Sequence, residues 1–96
     1  MSIQQLLQEE RDDIRRIAAN HGAFNVRVFG SVARGDAGEG SDVDLLVDAG
    51  PATSSWFPAG LMVDLEDILG RQVHIVTENA LNPDVRTAVL SEALPL

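Results

Sequence analysis

The stretch VRVFGSVARGDAGEGSDVDLLVD, Val26 to Asp48, decides the reading of this 96-residue chain. Two apolar runs, Val26–Phe29 and Leu45–Val47, flank a loop of small residues, which predicts strand, turn and strand. Residues i and i+2 of a strand share a face, so Asp42 and Asp44 project side by side at the start of the second strand. Two carboxylates held in that way repel each other unless a cation lies between them. Hard divalent ions such as Mg²⁺ take oxygen ligands of this kind and usually keep a phosphate as a further ligand. Gly30-Ser31, at the end of the first strand, offers backbone N–H groups and a hydroxyl to that phosphate. The plainer alternatives are a capping pair at Asp42 and Asp44 and a ligand-free tight turn at Gly30-Ser31.

The spacing Gly-Ser, ten residues, Asp-x-Asp is met without a gap by Gly30, Ser31, Asp42 and Asp44. It resembles the nucleotidyltransferase superfamily that includes DNA polymerase beta. Within that superfamily it is most similar to the minimal nucleotidyltransferases, small partners of HEPN-domain proteins in prokaryotic toxin–antitoxin pairs. Ala33-Arg34-Gly35-Asp36-Ala37 and Ser41–Val47 also look like the family, and the likeness continues more weakly to the C-terminus.

The resemblance implies an α/β (α+β) fold of the polymerase-beta palm type. A small mixed sheet carries helices on one face, and metal, nucleotide and partner meet on the other. It further implies a metal-dependent nucleotidyltransferase that uses Mg²⁺ (or Mn²⁺) and moves AMP from ATP to a tyrosine hydroxyl of a HEPN ribonuclease toxin. Asp42 and Asp44 are then the metal ligands. Gly30 and Ser31 hold the triphosphate, joined by Arg34 and Ser41 as candidate nucleotide contacts. The alternative for Arg34 is an ion pair with Asp36 or Asp44, and for Ser41 a hydrogen bond that only orients the loop. The family's usual site adds a third acid on a neighbouring strand, which helps bind the catalytic metal and activates the attacking hydroxyl. Where relatives carry that Asp, this chain has His74, within Gly70-Arg71-Gln72-Val73-His74-Ile75-Val76-Thr77. Imidazole is a poor Mg²⁺ ligand but suits Mn²⁺ or Zn²⁺ better. With an ordinary pKa of about 6.5 it can serve as a general base, yet it does not replace the missing negative charge. Two readings follow: an active adenylyltransferase weakened at His74, or a catalytically weak or inactive antitoxin that neutralises its HEPN partner by occlusion.

Composition bounds these readings. Ninety-six residues fit one domain, 1–96. Fifteen Asp and Glu against seven Lys and Arg leave a net charge of −8, which disfavours direct binding to nucleic acid. The acidic surface either suits a basic protein partner in a hetero-oligomer or serves only solubility. The absence of cysteine excludes disulfides and thiolate metal sites. No run is long and apolar enough for a membrane span, and MSIQQLLQEERDD lacks a signal peptide's pattern, so a cytoplasmic protein is expected.

The remaining elements follow from periodicity and caps. Ser2 with Gln5 forms a capping box for a first helix, whose stripe is Ile3, Leu6, Leu7, Ile14, Ile17 and Ala18, with Gly22 as stop. Asn25–Phe29 is the first strand, Ser31–Arg34 one helical turn, Gly35–Ser41 a loop and Asp42–Val47 the second strand. Asp48–Ser55 reads as a mobile connection. Leu61–Leu69 is a helix with Leu61, Leu65, Ile68 and Leu69 inward and Gly70 as C-cap, and Gln72–Val76 is the third strand. Asn82-Pro83 starts a last helix that runs to about Glu92. His21 is expected at the C-terminus of the first helix, without a catalytic role. Trp56-Phe57 either closes the core over the sheet edge or anchors a protein partner. Leu94-Pro95-Leu96 either does the latter or frays.

Overall fold

The capping box that the sequence predicts opens the chain. In the computed structural model, which describes residues 2–38 and 40–96, the Gln5 N–H donates to Ser2 Oγ at 3.1 Å and the Ser2 N–H donates to Gln5 Oε1 at 2.9 Å. Two orphan amides at the start of α1 (Ile3–Glu9) are thereby satisfied. The predicted single helix is divided: Glu10, at φ −93° and ψ 5°, separates α1 from α2 (Arg11–Asn20). The inward stripe runs Ile3, Leu7, Ile14 and Ala18. Its positions 10 and 11 are charged, so no apolar side chain there holds the helix straight.

Gly22 follows at φ +84°, and a Cβ there would overlap the Ala52 carbonyl oxygen. Beyond it β1 (Ala23–Phe29) pairs antiparallel with β2 (Val43–Ala49), Phe29 opposite Asp44 and Val28 opposite Leu45. The register slips between Phe24 and Arg27, where Asn25 stands at φ +52°. One helical turn, α3 (Gly30–Arg34), joins the strands to the glycine loop. Glu39, within the predicted Gly35–Ser41 loop, lies outside the described residues, as does Met1. A crossover through α4 (Ala59–Leu69) returns the chain to β3 (Val73–Thr77), parallel to β2 with Asp44 opposite His74. A 3₁₀ turn (Glu78–Ala80) leads to α5 (Pro83–Glu92), whose cap is the predicted one: Asn82 Oδ1 accepts from the Asp84 N–H at 2.8 Å. The sheet order is β3-β2-β1-β4, a mixed sheet.

The fourth strand is a correction. Leu94-Pro95, expected to fray or to meet a partner, is β4, antiparallel to β1 with Leu94 opposite Val28. The Leu96 N–H then donates to the Val26 carbonyl at 3.1 Å, and Leu96 is buried. Pro95 is tolerated because an edge strand does not need every amide.

Helices α1, α2 and α4 cover one face of the sheet as expected, with Leu61, Leu65 and Leu69 joining the stripe of the first two helices over Val26, Val28, Val43, Leu45 and Val47. Ile68, predicted inward, is 38% exposed. The opposite face is less open than anticipated. Strand alternation puts Leu46 on it beside Asp44 and Asp48, yet Leu46 is 0% exposed and, like buried Val89 of α5, stands outside the main cluster. Arg27, across from Leu46, donates to Asp48 at 2.9 Å, and Glu78 lies 3.7 Å from Arg27 and 2.7 Å from Arg86 of α5. These ion pairs tie the 3₁₀ turn and α5 onto this second face.

The connection after β2 is held by side chains. His21 Nδ1 meets Ser54 Oγ, and its Nε2 meets Asp64 Oδ2, both at 2.6 Å. His21 is therefore a clamp between the end of α2, the loop and α4, not a partner of helix carbonyls alone. Of Trp56-Phe57, Phe57 packs against the core as expected, whereas Trp56, at φ +62°, is 88% exposed and does not help to close it.

Candidate active site

The site face is built by the tips of three strands. Asp42 stands immediately before β2, and Asp44 is the strand's second residue. Asp44 is flanked on one side by Phe29, the last residue of β1, and on the other by His74 of β3. The chain turns away from Phe29 through Gly30 at φ +73°, and a Cβ at Gly30 would overlap Asp44 Oδ2. Glycine is thus required twice, by backbone conformation and by the nearness of the carboxylate. His74 Nε2 lies 3.0 Å from Asp42 Oδ2, with both side chains about half exposed. The structure therefore brings Asp42, Asp44, His74 and Gly30 together, and Ser31 follows in the same turn.

Arg34 and Ser41 have partners of their own. Arg34 bonds Asp36 at 3.2 Å and Glu92 at 3.2 Å, not Asp44. These two acids hold the guanidinium pKa above its ordinary value, the Asp36 hydrogen bond contributing most. Ser41 Oγ accepts from the Gly38 N–H at 2.8 Å and so shapes the loop. Glu92, at the end of α5, is a site residue that sequence reasoning missed: its Oε1 also accepts from the Gly30 N–H at 2.9 Å. No local pattern connects residues 62 positions apart.

Electrostatics set Asp44 apart. Burial, first of all, raises its pKa; the Asp42 and Glu92 charges add to that, while His74 and Arg34 pull it down. A carboxylate held partly out of water among other acids is relieved by a cation. Two carboxylates on one surface, open toward a phosphate, fit one hard divalent ion with phosphate oxygens completing its shell. Among the described residues no cluster of three or more acids, histidines or cysteines has metal-holding geometry. The donor set here thus fits a nucleotide-borne ion rather than an all-protein cage.

A mixed sheet that presents two acids beside a Gly-Ser turn has the donors that binding a phosphate and its cation requires. Residues 9–96 match the nucleotidyltransferase domain family, and the chain belongs to that family. The Thermococcus cleftensis protein adenylyltransferase MntA is 34% identical over 92 residues, covering 96% of this chain and 90% of that protein. A Methanocaldococcus jannaschii protein, provisionally named a protein adenylyltransferase, is 34% identical over 88 residues, covering 92% of this chain and 95% of that protein. Among solved structures, a provisionally named minimal nucleotidyltransferase is 46% identical with a TM-score of 0.85, covering 100% of this chain and 97% of the other. A toxin–antitoxin structure with AMP-PNP shares the fold alone, at 19% identity and a TM-score of 0.65 over 99% of this chain and 72% of the other. No helix among the described residues is long and apolar enough to cross a membrane.

Proposed function

We propose that the protein transfers AMP from ATP to a tyrosine hydroxyl of a HEPN ribonuclease toxin, in a metal-dependent reaction. The observation that carries this reading is the paired Asp42 and Asp44 at the head of β2, with Asp44 packed against Gly30 of the Gly-Ser turn. In the reaction the hydroxyl oxygen attacks the α-phosphorus, the bond to the β-phosphate oxygen breaks, and pyrophosphate leaves. Mg²⁺ or Mn²⁺, when bound, neutralises the charge that develops on the phosphoryl oxygens. Asp42 and Asp44 hold that ion. The Gly30 and Ser31 turn, with Arg34, holds the phosphates, while Ser41 keeps the loop in shape. His74, hydrogen-bonded to Asp42, takes the hydroxyl proton in place of the family's third acid. The adenylyltransferase names of relatives about one-third identical over nearly the whole chain support the reaction class. The toxin–antitoxin setting of more distant structures with this fold, MntA–HpeT among them, is consistent with the partner.

A second reading rests on the same histidine. With an imidazole where a carboxylate is expected, the chain neutralises its toxin by covering it, and nucleotide binding is residual. Intact mass of the toxin after incubation with this protein, ATP and either metal separates the two. AMP-sized increments that disappear in Asp44→Ala establish transfer. A stable complex without increments under either metal establishes occlusion. If His74 merely weakens an ordinary site, His74→Asp raises transfer with Mg²⁺; a folded variant without that gain assigns His74 its own role.

A further inference from the structure

Two of the donors assigned to the triphosphate, the Gly30 amide and Arg34, are already engaged. Glu92 Oε1 accepts from the Gly30 N–H at 2.9 Å, and the two Glu92 oxygens lie 3.3 and 3.2 Å from Arg34 Nη1. A carboxylate and a phosphoryl group present the same chemistry to such donors, a pair of anionic oxygens met by an amide and a guanidinium. Glu92 is only 28% exposed at the end of α5. The following Ala93 amide closes onto Val89, and β4 then anchors the chain to β1. Its backbone is thus fixed, and only the side chain is free to swing. Arg34 keeps Asp36 as a second partner at 3.2 Å, so it stays in place when Glu92 leaves.

We infer that Glu92 is an internal phosphate surrogate, a gate that occupies the phosphate-binding end of the site until a nucleoside triphosphate displaces it. The inference rests on the nucleotide-site reading above and adds a regulation to it. Nucleotide competes with a tethered anion, and its apparent affinity falls by the fraction of molecules in which the gate is open.

The test is calorimetric titration of the full chain with ATP in Mg²⁺, for wild type, Glu92→Gln, Glu92→Ala and Asp44→Ala, each checked by circular dichroism. Removing the gate's charge is expected to tighten binding about three- to ten-fold, corresponding to a gate closed in most molecules. Glu92→Gln preserves shape, so it keeps the test valid if Glu92→Ala loosens the C-terminus. Wild-type binding with equal or weaker affinity in both Glu92 variants overturns the gate, because Glu92 then only positions Arg34. Absence of binding in all four proteins overturns the nucleotide site itself, and the gate with it. Binding by wild type that Asp44→Ala weakens, together with tighter binding by Glu92→Gln, supports both.

Discussion

Asp44 is where the demands of folding and of chemistry oppose each other. Its carboxyl pKa is raised, chiefly by burial, so the ionised form is less comfortable in the folded protein than in the unfolded chain. The sign follows. Below the unfolded value of about 3.9 both states are protonated and nothing is lost. As pH rises above that value the unfolded chain ionises first and stability falls, and the loss is complete once pH has passed the raised folded pKa. Asp44→Asn is therefore expected to melt about 1–3 °C higher than wild type at pH 7 in chelator, with the gain vanishing near pH 3. A lower melting temperature at pH 7 would mean that the attraction of Asp44 to His74 and Arg34 outweighs its burial. If the proposed site binds nucleotide with its ion, ATP with Mg²⁺ is expected to raise the melting temperature of wild type more than that of the variant, since a native-state ligand stabilises. The same residue shows how far local reading reaches. The i, i+2 rule places Asp42 and Asp44 together from the sequence alone, but the closeness of Asp44 to Gly30 is a cross-strand fact.

At the scale of elements, caps and stops are the most legible features. The capping box at Ser2, the Asn82-Pro83 start of α5 and the Gly70 end of α4 all stand where the residues indicate, because each is satisfied within a few positions along the chain. β4 is the contrary case. Two residues, one of them proline, carry no period, and only β1 beside them makes a strand. Deletion of residues 94–96 removes a buried leucine and a backbone hydrogen bond to Val26. It is expected to lower stability by roughly 2–3 kcal/mol in urea unfolding and, by freeing the β1 edge, to promote association. Unchanged stability would show that β4 contributes no net packing.

For the whole molecule, a 96-residue chain has little stability to spare. Leu46 tests how the second face is held. It is fully buried outside the main cluster, on the sheet face that carries Asp44 and Asp48. Leu46→Ala is expected to cost about 2–5 kcal/mol, a large share of a typical total of about 5–15 kcal/mol. The urea midpoint falls while the slope stays constant. A loss below about 1 kcal/mol would mean that the surrounding side chains collapse onto the gap. The net charge of −8 acts at this scale too. An acidic protein repels free ATP, so the proposed nucleotide site would depend on the local positive charge of Arg34 and of the nucleotide's own cation.

What the sequence determined by itself is whatever depends on near neighbours. That covers the two strands around the glycine loop, the shared face of Asp42 and Asp44, the glycine after β1, the helix caps and the placement of His74 on the third strand. Only the tertiary structure decided that the first helix breaks at Glu10, that the C-terminal residues complete the sheet, that α5 crosses onto the site face, and that Glu92 meets Gly30 and Arg34. The physical reason is the range of the forces involved. Periodicity and capping are written into adjacent residues, whereas a contact across 62 positions exists only because the chain, after β3 and the 3₁₀ turn, brings α5 back beside α3.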